Sequence, residues 1–203
     1  MVENIEWFKH SSFRLTGEKI IYIDPRNISD PKPADAVLIS HPHSDHFSPD
    51  DIKKISNEKT VIISIPEVIS QIEGNKKMIL PNEKAFLDKV VIEAFPAYNV
   101  NKSFHSKKKD WVGFIIEMNG KRYYYAGDTD AIPEMRFMKN IDVAMLPVGG
   151  TYTMNADEAA SIANIFKPKV VIPYHWGEIV GTREDAEKFK SLFLGETVIL
   201  EPR

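Results

Sequence analysis

The run Ala36-Val37-Leu38-Ile39-Ser40 passes without a break into His41-Pro42-His43-Ser44-Asp45-His46, and these eleven residues decide how the chain is read. An apolar run without alternation fits a strand buried on both faces, as in a sheet covered on each side. Three of the chain's six histidines follow within six positions. Pro42 keeps His41 out of the helical region, so the chain leaves the strand extended. In extended backbone, residues two apart share a side, and His41 and His43 can converge on one ion. Asp45 and His46 fall at the turn into the next helix, where they can face a second ion beside the first. A solvated polar loop is the alternative, but so dense a set of imidazole and carboxylate ligands favours metal.

Upstream, the segments 5–8, 12–15 and 20–24 read as short strands, divided by Thr16-Gly17-Glu18-Lys19 and stopped at Asp24-Pro25. Downstream, Ser48-Pro49-Asp50-Asp51 is a helix start: a hydroxyl cap, a first-turn proline and acids at the positive end of the dipole. That helix is expected to reach about Ser56. VIISI (61–65) reads as a strand, and a short helix is expected from Pro66 to Glu73. MIL, AFL and VVIEAF suggest strands up to Phe95. Residues 96–110 have no period and read as a long loop, a common carrier of function. Asn119-Gly120 between WVGFIIEM and KRYYYAG signals a hairpin with a type I′ turn. DVAMLP (142–147), KVVIP (169–173) and ETVIL (196–200) read as strands. Helices open at Asn155, with Glu158 completing a capping box, and at Thr182. Strands first, then helices between strands in both halves, suggest packed sheets with helices outside.

A chain of 203 residues fits one domain, taken as 1–203. A net charge of -3 gives no reason to expect nucleic acid or an anionic membrane as partner. No apolar stretch approaches the roughly 20 residues of a membrane span, and MVENIEWFKH puts charges where a signal peptide needs its apolar run. A cytoplasmic protein is expected; a homo-oligomer is left open. With no cysteine, any metal is held by imidazole and carboxylate, which suits zinc, manganese or iron.

The motif His41-x-His43-x-Asp45-His46 after a strand resembles the hallmark of the metallo-β-lactamase superfamily. Asp24 at a strand end, Asp128 in Ala126-Gly127-Asp128-Thr129, and His175 after VVIP match further landmarks in order, so the likeness spans nearly the whole chain. His10-Ser11-Ser12-Phe13, AGDTD, LPVGGTYTM and IPYHWG are similar to the small cytoplasmic branch that includes the L-ascorbate-6-phosphate lactonases. The resemblance implies an α/β fold (α+β in some schemes), a four-layer αββα sandwich with two metals at one edge between the sheets. It assigns His41 and His43 to the first metal, Asp45, His46 and His175 to the second, and Asp128 as the bridge. It also brings the loop of His10 near the metals. The pattern departs at the third ligand of the first metal. Pro96-Ala97-Tyr98 leads to Asn99, and the nearest histidine is His105; His105 is favoured, with Asn99 and His10 as alternatives. Asp24 suits an acceptor for a metal-bound imidazole, or is a simple strand-ending turn.

Two adjacent dications, zinc first and manganese or iron as alternatives, would make hydroxide available at neutral pH for attack on a carbonyl or phosphoryl centre. Asp45 can steer that nucleophile and carry a proton. The Gly149-Gly150-Thr151-Tyr152 loop can present backbone N–H groups to substrate, or be only a tight turn. Lys107-Lys108-Lys109 can meet an anionic substrate, or be a solvated loop. Trp111 and Tyr98 can line a pocket or belong to the core. The expected activity is hydrolysis of a small, anionic ester, lactone or phosphoester. A nuclease or phosphodiesterase, an iron redox protein and a non-catalytic metal sensor are the competing classes. There is no phosphate-binding loop, dinucleotide fingerprint or serine nucleophile elbow.

Overall fold

The computed structural model describes residues 2–203. Its first half holds β1 (Ile5–Trp7), β2 (Phe13–Thr16), β3 (Ile20–Ile23), β4 (Ala36–Ile39), α1 (Pro49–Ile55), β5 (Val61–Ser64), α2 (Pro66–Ile69) and β6 (Lys76–Met78). The second half holds β7 (Lys84–Leu87), β8 (Val90–Pro96), β9 (Val112–Met118), β10 (Lys121–Tyr125), β11 (Val143–Pro147), α3 (Ala156–Phe166), β12 (Val170–Tyr174), α4 (Arg183–Leu192) and β13 (Glu196–Thr197).

Each half builds one mixed sheet on the same plan. Strands β1 to β6 lie in sequence order, antiparallel through β3 and parallel from β3 onward. Strands β7 to β13 repeat this, antiparallel through β10 and parallel afterwards. The sheets face each other across rings such as Phe13 against Tyr125 and Tyr174, with centroids 6.0 and 5.5 Å apart. Helices cover the outer faces, giving the αββα sandwich. Strand β4, with all four side chains buried, sits inside the first sheet as its unbroken apolar run requires. Burying each such aliphatic side chain contributes about 1.5–3 kcal/mol.

Local signals hold where chemistry fixes them. Asn119 and Gly120 both take positive φ, as a type I′ turn demands. Asn155 and Glu158 form the reciprocal capping box of α3, and the Ser48 hydroxyl accepts from Asp51 N. Two expectations need correction. Strand β13 ends at Thr197, not at Leu200. Val198 N still donates to Val171 O, but the next rung requires an N–H from residue 173, which is proline. Helix α2 ends at Ile69 rather than Glu73. The chain continues in tighter turns, and the Lys76 ammonium takes the carbonyls of Ile69 and Ile72. Two short 3-10 turns, Lys107–Lys109 and Pro133–Phe137, went unsignalled. No helix among the described residues is long and apolar enough to cross a membrane.

Candidate metal centre

Strands β1, β3 and β4 run in one direction in the first sheet, and β8, β10, β11 and β12 share one in the second. Every site residue expected from the sequence follows one of these strands. His10 comes after β1, Asp24 after β3, residues 41–46 after β4, Asn99 and His105 after β8, Asp128 after β10, Tyr152 after β11 and His175 after β12. Carboxyl ends of parallel strands are where α/β sheets gather ligands. His10, Asp24 and His175 have φ of 48°, 45° and 65°, left-handed values that cost non-glycine residues free energy and persist where surroundings over-determine them.

Asp128 stands at the centre, nearly fully buried. Its Oδ1 lies 3.1 Å from Nε2 of both His46 and His175. Its Oδ2 lies 3.2 Å from His105 Nε2 and 4.0 Å from His41 Nε2. His41 Nε2 is 3.0 Å from His43 Nδ1, and Asp45 Oδ2 is 3.7 and 3.9 Å from Nε2 of His46 and His175. Two groups of candidate ligands thus flank one carboxylate: His41, His43 and His105 toward Oδ2; Asp45, His46 and His175, with His10 beside them, toward Oδ1.

These residues fit a divalent cation. His46 Nε2, His105 Nε2, His175 Nε2 and Asp128 Oδ1 are buried without a hydrogen-bond partner, although they crowd within 3.2 Å of one another or of the other Asp128 oxygen. Polar atoms at contact distance that do not point at one another converge on a common point. Metal–ligand distances of about 2.0–2.2 Å set neighbouring ligand atoms roughly 3 Å or slightly more apart.

A second layer of bonds fixes which nitrogen each ring offers. The Ser40 hydroxyl donates to Asp24 Oδ2 at 2.6 Å and so accepts from His41 Nδ1 at 2.9 Å. His46 Nδ1 and the Tyr125 hydroxyl donate to the same Asp24 oxygen, each at 2.6 Å, and Ser40 N donates to Oδ1 at 2.7 Å. Both rings therefore carry their proton on Nδ1 and keep the Nε2 lone pair for a cation. Asp24 thus accepts from an imidazole as well as ending a strand.

The 99–105 loop sets Asn99 and His105 against each other. Asn99 Oδ1 accepts from the backbone N and Nδ1 of His105, at 2.9 and 3.0 Å. Asn99 is thereby committed to orienting His105, whose Nε2 reaches Asp128. His10 lies on the other flank, with Nε2 3.1 Å from Asp45 Oδ2. Tyr152 contributes its carbonyl, which accepts from Asn99 Nδ2 at 2.9 Å and lies 3.2 Å from His105 Nδ1; its ring packs on Phe104. Lys107 and Lys109 pair with Glu134 and Glu67.

Burial pushes His41 well below its ordinary pKa, with the charge of His46 adding to the effect, and lowers His43 and His10 as well. Neutral imidazole is the metal-binding form. Burial opposes ionisation of Asp128, yet His175 and His46 outweigh it and hold the carboxylate well below its ordinary range. Burial would lower His46, but Asp128 and Asp24 raise it well above.

Sequence reasoning missed Ser40, Tyr125 and Asp130, and left the Gly149 loop between a substrate contact and a tight turn. A Cβ on Gly149 would stand 2.3 Å from the carbonyl oxygen of His175, so only glycine lets that loop seat the histidine. Asp130 accepts from Asn99 Nδ2 and Val100 N and ties down the 99–105 loop. The AGDTD motif was a usable signal for Asp130; nothing local marks the others. Trp111, weighed as core or pocket, packs 4.8 Å from the rings of both His41 and His43.

Residues 4–175 match the family model described as a beta-lactamase superfamily domain. A UPF0173 metal-dependent hydrolase of Pyrococcus abyssi is 31% identical, over 98% of this chain and 96% of its own. The crystal structure of a protein assigned as a metal-dependent hydrolase, from Parabacteroides distasonis, superposes with a TM-score of 0.84 at 34% identity, covering 98% and 93% of the two chains. Igni18, a metallo hydrolase of Ignicoccus hospitalis, gives 0.80 at 27%, covering 98% and 94%. With its hallmark histidines and aspartates gathered between two sheets, this chain belongs to the metallo-β-lactamase superfamily, as a metal-dependent hydrolase.

Proposed function

We propose that this chain hydrolyses a small ester, lactone or phosphoester at a centre of two divalent cations. The observation that carries this reading is the set of buried, unpartnered atoms facing each other across Asp128: Nε2 of His46, His105 and His175, and Asp128 Oδ1. His41, His43 and His105 would hold one cation, Asp45, His46 and His175 the other, with Asp128 bridging. Zinc suits this nitrogen-rich set best, with manganese or iron as alternatives. Bound there, the pair would supply an acidified water and a Lewis acid for the oxygen that gains charge.

The protein's own groups do the rest. Asp24 and Ser40 hold His46 and His41 in one tautomer and one orientation, and Asn99 does so for His105. Asp45 is the carboxylate of the cluster that reaches solvent, with 19% of its side chain exposed. It takes the proton of the attacking water and returns it to the leaving oxygen. Trp111 walls the His41–His43 side, packing on the buried His41 ring and on the exposed His43 ring. An anionic substrate would be drawn by the cations themselves, since Lys107 and Lys109 are engaged by carboxylates.

The test is metal analysis together with turnover of a panel of lactones, carboxylic esters and phosphoesters under zinc and manganese. Two ions per chain and turnover of at least one class, abolished in Asp128→Ala, are expected. Metal-loaded protein inert on all three classes would overturn the reading.

A further inference from the structure

The turn between β1 and β2 contains a histidine whose Nε2 is bonded to a carboxylate of the cluster. His10 is buried, and its Nε2 makes a well-directed hydrogen bond to Asp45 Oδ2 at 3.1 Å. The nitrogens of His46 and His175 lie equally close to Asp128 Oδ1 but make no such bond. The other directed ring contact within the cluster, His41 Nε2 with His43 Nδ1 at 3.0 Å, joins two imidazoles and engages no carboxylate, so His10 stands apart by its acceptor.

The same residue grips a second member of that group. Its ring lies on His175, with centroids 3.9 Å apart. Its carbonyl oxygen accepts from His175 N at 3.3 Å and from Trp7 Nε1 at 2.9 Å. Next to it, the Ser11 hydroxyl donates to the Asp45 carbonyl at 2.5 Å. Lys9 and His10 both hold positive φ, 87° and 48°, so the turn is kept in a costly conformation that presents the ring.

We propose that His10 is a positioning residue that sets the affinity of the Asp45–His46–His175 subsite for its cation, by donating from Nε2 to Asp45 Oδ2, and takes no part as a ligand itself. This rests on the two-cation reading above. The bond fixes the carboxylate rotamer, directs Oδ2 toward His46 and His175, and leaves Oδ1 to carry a proton. Among the described residues the turn's hydrogen bonds and ring contacts to the cluster go to Asp45, His46 and His175, so the effect is expected on that subsite.

Two substitutions separate the donor from mere packing. His10→Gln puts an amide N–H near the position of Nε2, whereas His10→Leu keeps bulk and removes the donor; both bear the same backbone strain. Zinc is titrated into metal-free protein against a competing chelator, with thermal unfolding of each metal-free variant to confirm folding. Wild type is expected to take two equivalents. His10→Leu is expected to bind one of them about 10–100-fold more weakly, with the other unchanged, and His10→Gln to stay within about threefold of wild type on both. Equal loss in both variants, loss on both equivalents, or no loss in His10→Leu would overturn the proposal while two-ion binding by wild type stood. A wild type that takes one equivalent would overturn the dinuclear reading, and this one with it. None of these outcomes depends on finding a substrate.

Discussion

Replacing Asp24 gives the sharpest separation between a structural turn and a metal-orienting group. The carboxylate is fully buried and accepts four hydrogen bonds, three of them on Oδ2 from Ser40 Oγ, His46 Nδ1 and Tyr125 Oη, and one on Oδ1 from Ser40 N. In Asp24→Ala all four donors lose their acceptor, at about 1–3 kcal/mol for each that stays buried and dry. The sum rivals the stability of a whole domain, about 5–15 kcal/mol, so this variant is expected to fold poorly. Asp24→Asn is the measurable case. Its amide oxygen can keep the three donors of Oδ2, while its NH2 faces Ser40 N–H, which loses its partner. One unsatisfied buried donor and a lost charge-assisted bond to His46 predict a loss of about 2–4 kcal/mol in metal-free protein. Urea unfolding with chelator present measures it. Zinc competition should then reveal one site weakened by about 10–100-fold, because His46 is less firmly oriented. Unchanged unfolding and unchanged zinc binding in Asp24→Asn would refute the hydrogen-bond reasoning outright.

Other perturbations probe separate links. Ser40→Ala removes the acceptor of His41 Nδ1; zinc affinity should fall about tenfold or more, read by the same competition. Gly149→Ala forces a Cβ against the carbonyl of His175; a loss of about 1–3 kcal/mol with weaker metal binding is expected, and wild-type unfolding would contradict it. In metal-free protein His41, whose folded pKa lies well below its ordinary 6.5, and His46, which Asp128 and Asp24 raise well above that value, respond to pH in opposite directions. Below that ordinary value the unfolded chain binds the proton more readily, so the stability His41 contributes is full above about pH 6.5 and declines as pH falls toward the folded value. His46 contributes in the reverse sense, so the check is residue by residue: imidazole NMR titration of metal-free folded protein between pH 7 and 5 should find His41 neutral and His46 protonated throughout. Asp45→Asn should keep the fold and lose most turnover; unimpaired turnover with full metal content would exclude a proton-carrying role.

Much of the centre was legible because its ligands sit where local chemistry fixes the backbone. The buried strand before His41 and the extended Pro42 already aim His41 and His43 together. Asp128 and His175 could be named only through the family pattern, since a carboxylate after a hairpin and a histidine after a strand have ordinary structural uses. His105 was favoured over Asn99 on ligand chemistry alone, with no signal of position. The choice depends on residues 99–105 folding back, so that Asn99 N donates to His105 O and the amide oxygen holds the ring. Ser40 and Gly149 act through contacts with Asp24 and His175, respectively 16 and 26 positions away, and a serine or glycine at a strand end announces nothing of that. The lysine run was left between two readings for the same reason, because Glu67 and Glu134 that engage it lie on other segments.

The claim that everything else depends on is that seven side chains from both sheets enclose two cations. Anomalous diffraction at the zinc edge, from crystals of zinc-loaded protein, tests it directly. Two peaks are expected on opposite sides of the Asp128 carboxylate, one against His41, His43 and His105 and one against Asp45, His46 and His175. A single peak, or peaks remote from Asp128, would contradict it.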